Sequence, residues 1–497
     1  MGLPKFWGLR GRSLSLLVST IATTGFVLFG YDQGVMSGII TSPAFFKLLP
    51  MLEGEPTLQG LVTAIYEIGC LIGAVFMLIY GDRTGRRMGI MGGGIILILG
   101  VIIQVTSEYN KMPLVQFIVG RVVTGVGNGM NTATIPVYQA ECSKTTNRGL
   151  LICIEGGVIA FGTLVAYWID YGCSYGPEDL VWRFPIAFQI IFAVILVVGM
   201  MGLPDSPRWL LSKGRHEEGV QVLAALRGYE VDSEDTKLEK ALILDSLAAS
   251  GDGGSFKSLL TGGKTQHFRR MVLGGSSQLM QQIGGCNAVI YYFPVLVEKG
   301  ITPGQHNLAL LLGGVNMIVY AIFATTSWFI IERAGRRKLF LWGTVGQMLS
   351  MVLVFGCLIP GEQDNPAAKG AAVGLFTYIA FFGATWLPLP WLYPAEISPI
   401  KTRAKANAVS TCTNWMFNFR DLEEIDIIFA KGFAENISYV KAANDLPRLS
   451  EADIQKLSVE YGLVEDSATR TRTAEGIKDY DLDKEKGGVD VSSDRSS

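Results

Sequence analysis

The sequence predicts an all-α polytopic membrane protein built from two related helical bundles. Three observations carry that prediction. The chain of 497 residues is 49% hydrophobic and 17% charged, with a mean hydropathy of +0.34, whereas soluble chains carry about a quarter charged residues. Apolar runs of about 20 residues, enough to cross a roughly 30 Å hydrocarbon layer, recur along it. A pair of charged motifs is also repeated in register. Gly81-Asp82-Arg83-Thr84-Gly85-Arg86-Arg87 returns as Glu332-Arg333-Ala334-Gly335-Arg336-Arg337, and Tyr138-Gln139-Ala140-Glu141 with Arg148 returns as Tyr393-Pro394-Ala395-Glu396 with Arg403. Arg83 and Arg333 are 250 residues apart, and Glu141 and Glu396 are 255 apart. A register this consistent in a hydrophobic chain marks two bundles related by pseudo-symmetry.

Taken in order, Lys5, Arg10 and Arg12 precede an apolar run from Leu14 to Ile40. That run is too long for a signal core, so it reads as a first spanning helix. Further candidate spans are 58–80, 89–107, 114–138, 149–171 and 184–203, then 270–297, 307–331, 338–358 and 371–395. Arg and Lys collect in the loops after the second, fourth, sixth, eighth and tenth spans, including Arg83, Arg86, Arg87, Arg148, Arg208, Arg333, Arg336, Arg337 and Arg403. Positive residues stay on the cytoplasmic side, which places the N-terminus there. The domains expected are a bundle over 1–203, a cytoplasmic helical linker over 204–268, a second bundle over 269–419 and a polar tail over 420–497. The tail holds 18 acidic and 11 basic residues, a composition that favours disorder.

Several function classes are disfavoured. The seven cysteines and three histidines are scattered, with neither a disulfide framework nor metal-ligand spacing. No nucleophile–base set or phosphate loop appears, so neither an enzyme nor a cofactor is expected. No nucleic-acid partner is expected either.

The chain resembles the sugar porter family of the major facilitator superfamily, and most closely its fungal monosaccharide transporters. The motifs are Gly30-Tyr31-Asp32-Gln33-Gly34, the two Gly-Arg-Arg loops, Pro204-Asp205-Ser206-Pro207-Arg208, Gln281-Gln282-Ile283-Gly284-Gly285-Cys286-Asn287, and Trp391 five residues before Glu396. The resemblance implies twelve helices in two six-helix bundles around a polar cavity that opens to each side in turn. It implies a small sugar as partner, protons as a second one in coupled members, and a monomer in the plasma membrane.

It also implies roles for residues. Gln281, Gln282 and Asn287 would hold sugar hydroxyls, since an amide offers both donors and acceptors. On a straight helix Asn287 would point about 120° away from Gln281, so Gly284-Gly285 is expected to loosen the helix and let them converge. Tyr291 would share the face of Asn287. Asn316 and Asn414 match other sugar contacts, and Trp391 matches a tryptophan that packs on the sugar ring. In the fifth helix the family's glutamine is replaced by Gly156, beside Glu155. Asp32 and Arg121 would form the proton-coupling pair, because an ionised carboxylate within a span costs about 2.5–3.5 kcal/mol or more unless paired. Asp82, Arg83, Arg86, Arg87, Glu141, Arg148, Asp205, Arg208, Glu332, Arg333, Arg336, Arg337, Glu396 and Arg403 would form cytoplasmic latches between the bundles.

One stretch of the family pattern is missing. Asn418-Phe419 runs directly into Arg420-Asp421-Leu422-Glu423-Glu424, which resembles the family's cytoplasmic tail. Most of helix eleven and all of helix twelve are therefore expected to be absent. The polar segment 404–419 is expected to stay at the cytoplasmic face, with Asn414 lacking a complete helix to hold it. Two other readings stay open at this point: a sugar sensor, and a non-functional truncated product.

Overall fold

The computed structural model describes residues 5–40, 42–53, 56–107, 112–143, 148–250, 259–260, 266–302, 305–358, 366–398, 402 and 405–417. Arg403, the side chain of Arg148 and the tail expected from residue 420 lie outside them. Met1–Glu423 forms one compact unit, and all described residues belong to it.

Among the described residues the regular structure is helical. The first half contains α1 (Gly11–Ile39), the short outer α2 (Pro43–Leu48), α3 (Pro56–Thr84), α4 (Arg86–Val105), α5 (Pro113–Cys142), α6 (Arg148–Cys173) and α7 (Glu178–Gly202). The linker folds as α8 (Pro207–Ser212), α9 (His216–Arg227) and α10 (Glu234–Ser250). The second half contains α11 (His267–Ile283), α12 (Cys286–Gly300), α13 (His306–Ala334), α14 (Arg336–Leu358), α15 (Pro366–Phe381) and α16 (Leu389–Ile397). A last helix, α17, covers 405–417. Seven described segments are long and apolar enough to cross a membrane: α1, most of α3, α4, α7, α13, most of α14 and Lys369–Ile397.

Small residues decide which helices touch. With no hydrophobic drive between helices in lipid, close backbone approach and dispersion must supply the attraction. A Cβ on Gly30 of α1 would lie 2.0 Å from the Ile159 carbonyl of α6, and one on Gly162 would lie 2.2 Å from Val27 O. Only hydrogen fits at either place, so α1 and α6 run in backbone contact. Gly125 and Gly129 on α5 do the same against Tyr66 O and Cys70 O of α3, at 2.2 and 2.0 Å. The two halves meet where α6 packs on α13 and α1 on α12.

The linker docks on the inner ends of the first bundle. Val222, Leu223 and Leu226 of α9 are buried, Ser15 Oγ donates to Leu226 O (2.9 Å), and Arg227 donates to Cys142 O (3.2 Å) while pairing with Glu239 (2.7 Å).

The expected seventh span, 270–297, is broken. α11 ends at Ile283, Gly285 takes φ +79° and α12 starts at Cys286. Only glycine adopts that left-handed backbone without strain. The tenth span is broken too, by a single π turn at Phe382–Trp386 ahead of Pro388 and Pro390.

Candidate functional site

The two broken helices meet, and prolines explain how. A proline inside a helix leaves the carbonyl four residues earlier without its usual N–H partner. Pro390 frees Trp386 O, which accepts from Gln281 Nε2 at 2.7 Å. Pro394 frees Pro390 O, which accepts from Gln278 Nε2 at 3.0 Å. Pro294 frees Ile290 O, which accepts from the Tyr167 hydroxyl across the two halves. At membrane depth such carbonyls must find donors within the protein, so each proline recruits a polar side chain to the interior. The Tyr378 hydroxyl donates to Gly284 O (2.7 Å) and pins the break in α11–α12.

The break brings Asn287 to Gln282, whose Oε1 accepts from Asn287 Nδ2 at 2.6 Å. Sequence reasoning paired Asn287 with Gln281. The register across Gly284-Gly285 instead selects its neighbour, and Gln281 turns to the carbonyls of Trp386 and Leu387. Gln281, Gln282, Asn287 and Tyr291 are all buried. Asn316 on α13 is fully buried, and neither its Oδ1 nor its Nδ2 has a hydrogen-bond partner. An amide held so would gain from a ligand that both donates and accepts.

Asn414 corrects an expectation. Its Nδ2 donates to Gln278 Oε1 (2.7 Å) and Gln281 Oε1 (3.2 Å), and Ser410 Oγ donates to Gly274 O (3.0 Å). α17 is therefore held alongside α11, rising from the Thr402–His267 contact (2.9 Å) at the inner end to the level of Gln281. Asn414, expected to lose its partners, finds them on α11, whereas Asn407 Oδ1 is buried with no partner among the described residues. Trp415 is fully buried and packs edge-on against Phe29 of α1, with ring centroids 5.3 Å apart. Trp391 meets the same ring at 6.5 Å. The tryptophan call thus falls at the seam between α1 and α16.

The fifth-helix departure has a packing reason. A Cβ on Gly156 would lie 3.3 Å from Pro388 Cβ, so the proline turn of α16 occupies the space a longer side chain would need. Glu155 beside it is buried with Oε1 unpartnered.

Asp32 and Arg121 approach to 3.9 Å, each almost fully buried. That distance is an ion pair without a direct hydrogen bond. Tyr66 supplies the contacts instead: its hydroxyl donates to Asp32 Oδ2 (3.2 Å), its ring lies 4.7 Å from the Arg121 guanidinium carbon, and Asn128 donates to its oxygen. Arg121 donates to Thr63 O (3.2 Å). Adjacent Glu67, also buried, accepts from the Tyr291 hydroxyl of the other half at 2.7 Å. Tyr66, Glu67, Asn128 and Gln278 were missed by sequence reasoning. For Glu67 the signal existed, since a carboxylate inside an apolar run is rare and paired where it occurs.

The repeated motifs fold into matching forks at the α3–α4 and α13–α14 turns. Arg86 Nε and Nη2 donate to both oxygens of Glu141 (3.1 and 3.2 Å), and Nη1 donates to Asp82 (3.1 Å). Arg336 repeats this with Glu396 (3.0 and 2.7 Å) and Glu332 (3.1 Å). Gly85 and Gly335 precede them at φ +84° and +80°. The latches were expected to join the bundles, yet each fork closes inside its own half. Planar bidentate pairing uses up the guanidinium on acids of that half. Asp205 accepts from the backbone N–H groups of Arg86 (3.1 Å), Arg87 (3.4 Å) and Ser206 (2.8 Å), capping α4. Burial pushes its carboxyl up while those N–H groups pull it down. Arg87 reaches the last carbonyls of α7 at Met200 (3.0 Å) and Met201 (2.5 Å). Arg83, Arg333 and Arg337 are exposed and Arg208 is half-buried.

Residues 17–420 match the family described as "Sugar (and other) transporter". The chain is 42% identical to the major facilitator superfamily transporter mfsA of Aspergillus fumigatus, over 92% of this chain and 93% of that protein. It is 40% identical to the sugar transporter STL1 of Saccharomyces cerevisiae, over 93% and 89%. Its fold is similar to that of the proton:xylose symporter XylE bound to 6-bromo-6-deoxy-D-glucose, with a TM-score of 0.72, 22% identity and 91% and 95% coverage. With its apolar helices, its doubled arginine forks and its amides at broken helices, the chain is a multi-pass membrane protein that belongs to the sugar transporter family of the major facilitator superfamily.

Proposed function

We propose that the protein carries a monosaccharide, a hexose or a pentose, across the membrane by alternating access, with proton movement linked to it through Asp32 and Arg121. The observation that carries this reading is the set of buried amides at the break between α11 and α12. Gln282 and Asn287 bond each other, and the Asn316 amide has no hydrogen-bond partner among the described residues. Sugar hydroxyls would replace the Gln282–Asn287 bond and satisfy Asn316, so loading is an exchange of hydrogen bonds and the site need not stay wet. Tyr291 and Asn414 extend the same polar surface, and Trp391 supplies an aromatic ring beside it. Such proteins as STL1 and XylE, named as a sugar transporter and a proton:xylose symporter, support the same reading.

The ion pair fits a coupling role. At 3.9 Å, with Tyr66 holding the other Asp32 oxygen, the pair separates on protonation without losing a direct hydrogen bond. Arg121 would then keep its bond to Thr63 O and lose its counter-charge. The forks of Arg86 and Arg336 would brace the inner ends of each half so that the halves move as rigid bodies. One chain supplies both halves, and the unit of transport is the monomer.

The test is counterflow of labelled monosaccharides in vesicles holding the purified full chain. Counterflow of at least one hexose or pentose is expected, with accumulation under an inward pH gradient. Asp32→Asn should lose the accumulation and keep a reduced exchange. If no monosaccharide is exchanged, the substrate class is wrong; if pH gradients never affect uptake, Asp32 is structural.

A further inference from the structure

We propose that Glu67 is a proton-binding site at the outer gate, taking up a proton when the gate closes over Tyr291. The proposal deepens the transport reading above and concerns how the same cavity is sealed.

Glu67 lies 11 residues into α3 from its outer end, about 16 Å at 1.5 Å per residue and so near the middle of the bilayer. Its Oε1 accepts from Tyr291 on α12, which joins the first half to the second. Immediately outside this bond, Ala64 of α3 packs with Tyr291, Tyr292 and Val295 of α12 in a buried apolar cluster. Polar tie and apolar seal together close the cavity toward the outside.

The second oxygen decides the chemistry. Oε2 is buried and has no hydrogen-bond partner among the described residues. The titratable and charged groups facing Glu67 are Tyr291 on α12, Arg121 on α5, Asp32 on α1, and Tyr66 and Cys70 on its own helix. Arg121 is the one cation among them, and it already faces Asp32 and donates to Thr63 O. A deeply buried carboxylate with one neutral donor is poorly stabilised, whereas a carboxylic acid in the same place needs no counter-charge. Closing the seal therefore favours adding one proton from the outer water to Oε2. Opening it returns water to the carboxylate, and the proton leaves to that water. No other bond is made or broken.

It follows that low pH favours the closed outer gate, and that Glu67→Gln, neutral at every pH with an oxygen still able to accept from Tyr291, holds it closed. The reporter is Ala64→Cys, buried within the seal, in the full chain reconstituted in vesicles. Its labelling by a membrane-impermeant maleimide from outside, corrected for the chain without the reporter, should rise with pH. Adding Glu67→Gln should keep it protected throughout, and adding Tyr291→Phe should expose it at pH values where the reporter alone is protected. Asp32→Asn should leave the pH dependence in place. Infrared difference spectra between low and high pH should lose one carboxyl band in Glu67→Gln. The proposal is overturned if Glu67→Gln keeps the pH dependence of labelling, if no carboxyl band is lost, or if the reporter is protected at every pH. Should Glu67→Gln fail to fold, unchanged labelling in Tyr291→Phe overturns it equally. None of these readouts needs a sugar, so absence of counterflow would sink the transport reading and leave Glu67 standing.

Discussion

At the residue scale the amides separate into two kinds. Gln278 and Gln281 spend their N–H groups on carbonyls that prolines release, so they build the site. Gln282 and Asn287 bond each other with the Cys286 thiol beside them, and Asn316 has no side-chain hydrogen-bond partner among the described residues, so these three are the ones offered to a hydroxyl. Truncating Gln282 or Asn287 to Ala leaves the partner amide unsatisfied in a buried place, which costs about 1–3 kcal/mol. We expect sugar binding about tenfold weaker or worse in each, with unchanged membrane insertion, measured by equilibrium binding to purified protein. Unaltered affinity in both would remove them from the site. The two arginine forks give a paired comparison. Arg86 is 10% exposed and Arg336 25% exposed at the side chain. Breaking a buried pair costs about 3–5 kcal/mol and a surface pair about 0–1. Arg86→Ala should therefore lower the melting temperature in detergent much more than Arg336→Ala, although each arginine pairs with two acids.

At the element scale, breaks in helices do more than the helices themselves. Pro390→Ala would return an N–H to Trp386 O, close the helix across the π turn and leave Gln281 only the longer bond to Leu387 O. The expected result is a folded protein with weaker sugar binding, and a proline scan with binding assays checks it. An unchanged affinity would mean that the freed carbonyl is incidental. Where helices touch through glycine, the outcome reverses. Gly30→Val must move the Ile159 carbonyl, 2.0 Å from the new Cβ, and overpacking of this kind costs about 1–3 kcal/mol. Stability should fall while the polar groups of the site stay intact, so thermal unfolding and sugar affinity should separate in this variant.

At the scale of the whole molecule, α17 is the telling piece. Its 13 residues, 405–417, span about 20 Å, short of the roughly 30 Å of the hydrocarbon layer. It lies beside α11 through Ser410 and Asn414 and buries Trp415 against Phe29, so its described residues are part of the bundle. Asn436-Ile437-Ser438 is a glycosylation sequon and reports which side follows. Expressed in secretory membranes, the chain should show no glycosidase-sensitive shift at Asn436. A shift abolished by Asn436→Gln would show a full crossing.

The sequence alone determined the broad plan: helices of spanning length, the repeat and the break at Gly284-Gly285. These rest on composition, spacing and backbone permissiveness, which are local and legible in a string of residues. The residues of the candidate site were legible as types, since amides and a lone carboxylate in apolar runs stand out. Their partners were not. Whether Asn287 meets Gln281 or Gln282 depends on the few degrees through which the broken helix turns. Whether Asn414 is stranded depends on a helix 136 residues away in sequence. Glu67 became meaningful only once α3 and α12 were side by side, because a carboxylate's role is set by who donates to it and who does not. Tertiary structure alone decides that, since hydrogen bonds across helices depend on distances that no spacing in one chain segment encodes.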